Sequence, residues 1–286
     1  MKLVFIGATG MLGKPVAKKL LEAGYDVTVF ARDVIKTQRF FTRSKVIKGD
    51  VFDKESLLNA FTDKEVVYMN LSVAQNSKEK ELQPEREGVK NIIEVAKQQG
   101  IKRLIYLSSL IKNYQGMNGF DWWALELKQK AVAAIKSSGL SYTIFYPSTF
   151  METFPYQMIR GNKIMMPGNS VAPMWFIAAE DFAKQVARSF EVAGNENREY
   201  VIQGLEPFTF GEAAKLLIEN YKKKKLKIIK APIGLIKFLG KFNAKMNYGA
   251  TICEALNNYP EKFESGETWK ELGKPVISLK DYASAF

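Results

Sequence analysis

The chain has 286 residues, 47% of them hydrophobic and 25% charged, and its Lys+Arg count of 42 against 30 Asp+Glu gives a net charge of +12. It has no histidine and a single cysteine, Cys253. This removes Ser-His-Asp and Cys-His triads, histidine-held zinc, imidazole bases and intrachain disulfides, so catalysis must rest on Lys, Tyr, Ser, Asp, Glu or a cofactor, and no metal is expected.

In chain order, Lys2–Ile6 reads as a strand that runs into Gly7-Ala-Thr-Gly10-Met-Leu-Gly13 and a helix over 11–23. Glycine permits the sharp turn at Gly7, close approach of a pyrophosphate at Gly10 and tight helix-on-strand packing at Gly13. The amides and positive dipole end of that helix face a phosphate there, so Thr9, Met11 and Leu12 join the three glycines as candidate cofactor contacts. Strands follow at Asp26–Ala31, Lys45–Lys48, Val66–Asn70, Arg103–Ser108 and Ser141–Tyr146, with helices over 54–61, 79–99 and 121–138. Such alternation predicts an α/β fold, a doubly wound parallel sheet of the Rossmann type.

Beyond Pro147 the pattern loosens, with Pro155, Gly161, Pro167, Gly168 and Pro173 marking a loop-rich excursion. A helix over 179–192 and a strand at Glu199–Gln203 return to the sheet. Helices near 209–221, 232–245 and 248–258, a strand at Leu226–Ala231 and the tail Trp269–Phe286 complete the chain. The expected division is a dinucleotide-binding domain over 1–150, rejoined by 171–204, and a small substrate-binding cap from 151–170 and 205–286. Binding is expected at the carboxyl ends of the strands.

No apolar run reaches the ~18–20 residues of a membrane span, and the Met1-Lys2 start is not a signal peptide, so the cytoplasm is the expected compartment with no membrane partner. The positive charge concentrates in Lys222–Lys225 and thins out through Lys227, Lys230, Lys237, Lys241 and Lys245. This fits a solvated helix end and a cationic cleft better than a nucleic-acid footprint, so no nucleic acid is expected. Cys253 reads as a small buried apolar residue. The oligomeric state is left open.

At the end of the second strand, where NAD-specific sites offer a carboxylate to the ribose, the chain has Ala31-Arg32-Asp33. A small residue followed by a guanidinium suits a 2′-phosphate, with Lys36 as a second cation, and points to NADP. The alternative is a solvated Arg32 with Asp33 on the ribose of NAD.

These residues resemble the atypical and extended short-chain dehydrogenase/reductases, in particular their NmrA-like and isoflavone-reductase-like branch. Besides the glycine turn, the likeness rests on Val46–Val51, Gly88–Lys97, Ile101–Ser109, Ser138–Pro147, Ile177–Ala183 and Trp269–Gly273, in that order along nearly the whole chain. It implies that Asp50 and Val51 edge the adenine, that Asn70, Leu71 and Ser72 border the second ribose and pyrophosphate, and that Pro147, Ser148 and Thr149 lie against the nicotinamide. A turn or cap role is the alternative for Asp50. The Tyr-x-x-x-Lys pair common in this family is broken: Lys128 takes the lysine position, but Ala124 stands where the tyrosine would be. Lys128 is thereby a ribose ligand, a proton donor or only an exposed helix lysine. Ser109 falls at the family's active-site serine, with a strand-end cap as the alternative. Tyr114, Trp122, Trp123, Phe150 and Phe154 gather at the expected mouth as substrate-lining aromatics, with Trp175 and Phe176 nearby, and core packing competes for at least half of them.

Two functions of different class follow. The first is an NAD(P)H-dependent oxidoreductase that delivers hydride to a small conjugated or quinone-like acceptor. The second is a non-catalytic NADP-sensing regulator of the NmrA type. A sugar-nucleotide epimerase or dehydratase ranks third, because it needs a proton acceptor at the position of Ala124.

Overall fold

A computed structural model describes residues 1–192, 194 and 196–285. Seven parallel strands form the central sheet: β1 (Lys2–Ile6), β2 (Asp26–Ala31), β3 (Val46–Lys48), β4 (Val66–Met69), β5 (Arg103–Leu107), β6 (Ser141–Pro147) and β10 (Arg198–Ile202). Their order is β10-β6-β5-β4-β1-β2-β3. Alternate residues of each strand face opposite layers. Val4, Ile6, Val67, Met69, Tyr106 and Ile144 pack against α3 (Lys54–Phe61), α4 (Val89–Gln98) and α5 (Trp123–Lys136). Leu3, Phe5, Tyr68, Ile105 and Phe145 pack against α1 (Gly13–Glu22) and α6 (Ala179–Val192). Burial on both faces explains why the central strands are mainly apolar, as in β4, where Val66, Val67, Tyr68 and Met69 are all buried.

A third core lies outside this sheet, around Met151, Phe154, Phe176, Phe210, Leu217 and Leu279. It is framed by β8 (Lys163–Pro167) between β7 (Ile159–Arg160) and β12 (Lys227–Ala231), and by a small pair of β9 (Met174–Trp175) with β11 (Pro207–Phe208). The helices here are α7 (Phe210–Asn220), α8 (Ile233–Gly240), α9 (Ala244–Asn258) and α11 (Leu279–Ala285), whereas α10 (Gly266–Leu272) packs back onto α6 and β10 of the sheet.

Several expectations are corrected. The helix expected over 79–99 starts at Pro84, whose ring is tolerated only in a first turn. A π-turn over Pro84–Gly88 then leads into α4. A short helix that the sequence reading lacked, α2 (Val34–Gln38), is capped by the Asp33 carboxylate, which accepts from the Lys36 amide. The helix expected over 232–245 divides at Gly240: a Cβ there would meet the Asn247 Cα at 2.8 Å, and Asn243 caps α9 by accepting from the Met246 amide. The loop-rich excursion contains the β7–β8 hairpin. Two helices make up the tail expected over Trp269–Phe286, whose last residue lies outside the described ones, as do 193 and 195 of the segment expected to rejoin the sheet.

Candidate functional site

A cleft of about 1200 Å³ opens at the carboxyl ends of β1, β2, β4, β5 and β6 and is roofed by α8 and α9. Its floor is the glycine turn. Gly7 has φ +84°, and a Cβ there would lie 2.2 Å from the Asn70 carbonyl oxygen. Gly13 is buried against the same turn, where a Cβ would meet the Gly7 oxygen at 2.1 Å. Gly10 differs: its nearest neighbours to a Cβ stand at 3.4 and 3.7 Å, and its open side belongs to the cleft. The protein therefore demands glycine at Gly7 and Gly13 for its own packing, whereas at Gly10 the free space is offered to a ligand. Thr9, Met11 and Leu12 line the floor with it. α1 has no acidic residue in its first turn and no side-chain cap, which leaves its positive end to an external anion. Asn70 braces the turn through its amide nitrogen, 3.4 Å from the Gly7 oxygen.

Arg32 and Lys36 are exposed at the cleft edge after β2. Asp33 also reaches this edge, but its carboxylate is engaged in capping α2. Asp50 has both properties weighed for it: it lines the cleft, and its Oδ1 accepts from the Phe52 amide at 3.1 Å in a turn. Val51 lies beside it, its carbonyl held by the Asn91 amide at 3.1 Å. Leu71 and Ser72 continue the wall, and Pro147, Ser148 and Thr149 form the far end. Ser148 is already committed to the protein, since its N–H donates to the Ile202 carbonyl and its hydroxyl to Glu261 Oε2, both at 2.8 Å. The Ser148 amide and hydroxyl are thus both engaged by the protein itself.

Lys128 lines the cleft from α5 and is not an exposed helix lysine; its side chain is 15% exposed. Its Nζ lies 2.5 Å from Oε1 of Glu85, whose side chain is 1% exposed. The Tyr106 hydroxyl donates to the same oxygen at 2.7 Å. Burial, with the charge and hydrogen bond of Glu85, pushes the Tyr106 phenol far above its ordinary range. Ser109 borders the cleft at the head of the short helix Leu110–Tyr114 without making a side-chain cap bond.

The aromatic mouth is largely corrected. Of the five residues expected to line it, Phe150 does so. Tyr114 is buried against Phe120 and Tyr259, with ring centroids 4.9 and 6.4 Å apart. Phe154 is fully buried between Phe176 and Phe210. Trp122 is buried and Trp123 half-buried in the core beside α5. Large rings gain most by leaving water, so the core on the α3–α5 side of the sheet claims Tyr114, Trp122 and Trp123, and the third core claims Phe154.

Three groups in or directly behind the cleft escaped the sequence reading. Glu85 sits inside a segment that reads as ordinary amphipathic helix, and only the π-turn points it inward. Tyr248, on α9, meets Trp122 edge-on at 5.0 Å. Burial and the charge of Glu85 push its phenol up to about 12. Glu261 accepts from Ser148, from the Gln203 amide at 2.7 Å and from the Trp175 amide at 3.3 Å, and burial holds its carboxyl above the usual range. Cys253 is half-buried at the cleft wall, its thiol pushed up to about 11 by burial, which makes it a poor thiolate.

Comparison with known proteins agrees with this geometry. The chain is 27% identical over 265 residues to the photosystem II assembly factor Ycf39 of Guillardia theta, covering 90% of this chain and 81% of that one. A nucleoside-diphosphate-sugar epimerase of Staphylococcus aureus superposes with a TM-score of 0.78 at 20% identity, over 99% of this chain and 100% of the other. An Escherichia coli NADPH-dependent quinone oxidoreductase, solved with NADPH, superposes with a TM-score of 0.76 at 20% identity over 99% of both chains. At such identities the two structures share the fold. Residues 7–191 match the family described as NAD(P)H-binding, which takes in the glycine turn, Arg32, Asp50, Asn70, Lys128 and Ser148, and the chain belongs to that family, as its resemblance to the atypical short-chain dehydrogenase/reductases implied.

Proposed function

We propose that the protein is an NADPH-dependent reductase that delivers hydride to a small conjugated or quinone-like acceptor. The observation that carries this reading is Lys128, held on buried Glu85 and lining the same cleft as the open face of Gly10. The residues present fit a dinucleotide. A Cβ-sized space is kept free at Gly10, the α1 terminus lacks an acid of its own, and Asp33 is engaged in a cap. The cap commits one Asp33 oxygen to α2, while exposed Arg32 and Lys36 are placed at the same edge for a 2′-phosphate.

When bound, the cofactor supplies the hydride, and the protein supplies orientation and electrostatics. An ammonium has three donors, and the Glu85 bond uses one of them at Lys128. The other two suit a ribose hydroxyl and the oxygen on which negative charge grows as an acceptor is reduced. The Tyr248 phenol remains protonated at neutral pH and adds a second donor beside the cleft. The quinone oxidoreductase named above is a reductase of this class on the same fold, which supports the choice of acceptor. NADPH consumption with a panel of benzoquinones and naphthoquinones tests the reading.

A second reading has its own support. The match to a photosystem assembly factor over 90% of the chain, together with the missing phenol at Ala124, favours a dinucleotide-responsive regulatory or assembly protein without turnover. Cofactor binding that alters affinity for a partner, with no acceptor reduced, distinguishes it.

A further inference from the structure

Between Asn220 and Cys253 the chain has nine lysines and no Asp or Glu. Within that stretch, the roof of the cleft turns an apolar face outward. Leu235, Phe238 and Leu239 on α8 and Phe242 in the turn after it are exposed by 54, 57, 43 and 84%, whereas Met246 on α9 lines the cleft. Only Gly240 of the eight residues of α8 is buried. The opposite side of the hairpin is engaged: Ile236 and Tyr248 line the cleft. Lys241 borders the outer face, its Nζ 6.0 Å from the Phe238 ring centroid, and Lys237 on the same helix pairs with Glu254. The exposed lysines 222–225, 227 and 230 precede α8 directly.

We infer that the α8–α9 hairpin is a docking surface for an anionic lipid bilayer, with Leu235, Phe238, Leu239 and Phe242 entering the interface and the lysines meeting the headgroups. Charge complementarity selects this occupant. A soluble protein leaves few contiguous large apolar groups in water, and exposed apolar groups within a lysine-rich stretch of chain match an interfacial helix that lies in the membrane plane. No helix among the described residues is long and apolar enough to cross a membrane, so the contact is peripheral. Because the hairpin also roofs the cleft, docking would set the cleft beside the bilayer, where an apolar acceptor dissolves. The docking claim itself is independent of the reductase reading.

The test is sedimentation of the full chain with vesicles of phosphatidylcholine alone and of phosphatidylcholine with phosphatidylglycerol, alongside NADPH titration. The wild-type protein is expected to sediment with the phosphatidylglycerol vesicles only, and increasingly so as salt is lowered. Phe238→Glu with Phe242→Glu, both exposed, should reduce partitioning at least about tenfold, and Lys224→Gln or Lys241→Gln about fivefold each. Unchanged NADPH affinity in the double variant shows that it is folded. Loss of NADPH binding in every protein tested would instead count against the cofactor reading and leave docking standing. Absence of vesicle binding, equal binding to neutral vesicles, or a wild-type dimer that Phe242→Glu dissociates without any vesicle binding overturns the inference.

Discussion

Lys128 and Glu85 form a shielded ion pair, Nζ to Oε1 at 2.5 Å, on an oxygen that also accepts the Tyr106 hydroxyl. Removing one partner of such a pair leaves an uncompensated buried charge. Glu85→Ala is expected to destabilise the protein by ~3–5 kcal/mol. Glu85→Gln should cost less, because it retains an acceptor for Tyr106. Denaturant unfolding decides this; a loss below about 1 kcal/mol for Glu85→Ala would mean that the pair is solvated. Lys128→Met carries the same hazard, so its turnover is to be read only beside its unfolding curve. Lys130→Met is the control: that lysine pairs on the helix surface with Glu126 and should be nearly silent.

The glycine turn separates packing from binding. Gly10→Val should fold normally, with an unchanged far-ultraviolet spectrum, and lose dinucleotide binding. Gly13→Ala should instead lower the melting temperature, because its methyl would lie 2.1 Å from the Gly7 oxygen. Gly10→Val that still binds NADPH would show that the open face of Gly10 is not where the phosphates lie.

Arg32 is expected to decide between the two dinucleotides. Arg32→Ala should weaken NADPH by about one to two decades, equivalent to ~1.5–3 kcal/mol for a charged hydrogen bond, and leave NADH nearly unchanged. Equal wild-type affinities for both cofactors, measured by fluorescence titration, would contradict this.

Glu261 gives a pH signature. Burial raises its carboxyl in the folded protein, so folding favours its neutral form relative to the unfolded chain. Its contribution to stability is fully present below the ordinary carboxylate value and declines as pH rises through the raised folded value. Carboxylates such as Glu199, held down by Lys136 and Tyr146 despite burial, slope the other way. The readout is therefore a difference: wild-type unfolding free energy minus that of Glu261→Gln should fall across this window. A flat difference would show that its three donors fully offset burial.

Legibility in the sequence followed the range of the interaction. Strands such as Lys2–Ile6 and Asp26–Ala31, buried on both faces, announce themselves locally, and the Gly7–Gly13 turn has its spacing fixed by backbone contact within one strand-turn-helix unit. The cofactor side of the cleft was accordingly visible as residue types at strand ends. The opposite side was not. Tyr114 and Phe154 look like mouth residues because they follow sheet strands, and only the packing of Tyr259 and Phe210 from distant segments shows them to be core. Glu85 depends on a π-turn, and Tyr248 on where α9 crosses Trp122, neither of which leaves a periodic trace.

The central claim, a Lys128-assisted NADPH-dependent reduction, is tested most directly by quinone-dependent NADPH oxidation in wild-type protein and in folded Lys128→Met. The account predicts turnover that requires both NADPH and a quinone and that falls by at least about a hundredfold in the variant, the size of a lost general-acid contribution. NADPH binding without oxidation in the presence of any quinone, or wild-type rates in folded Lys128→Met, would contradict it.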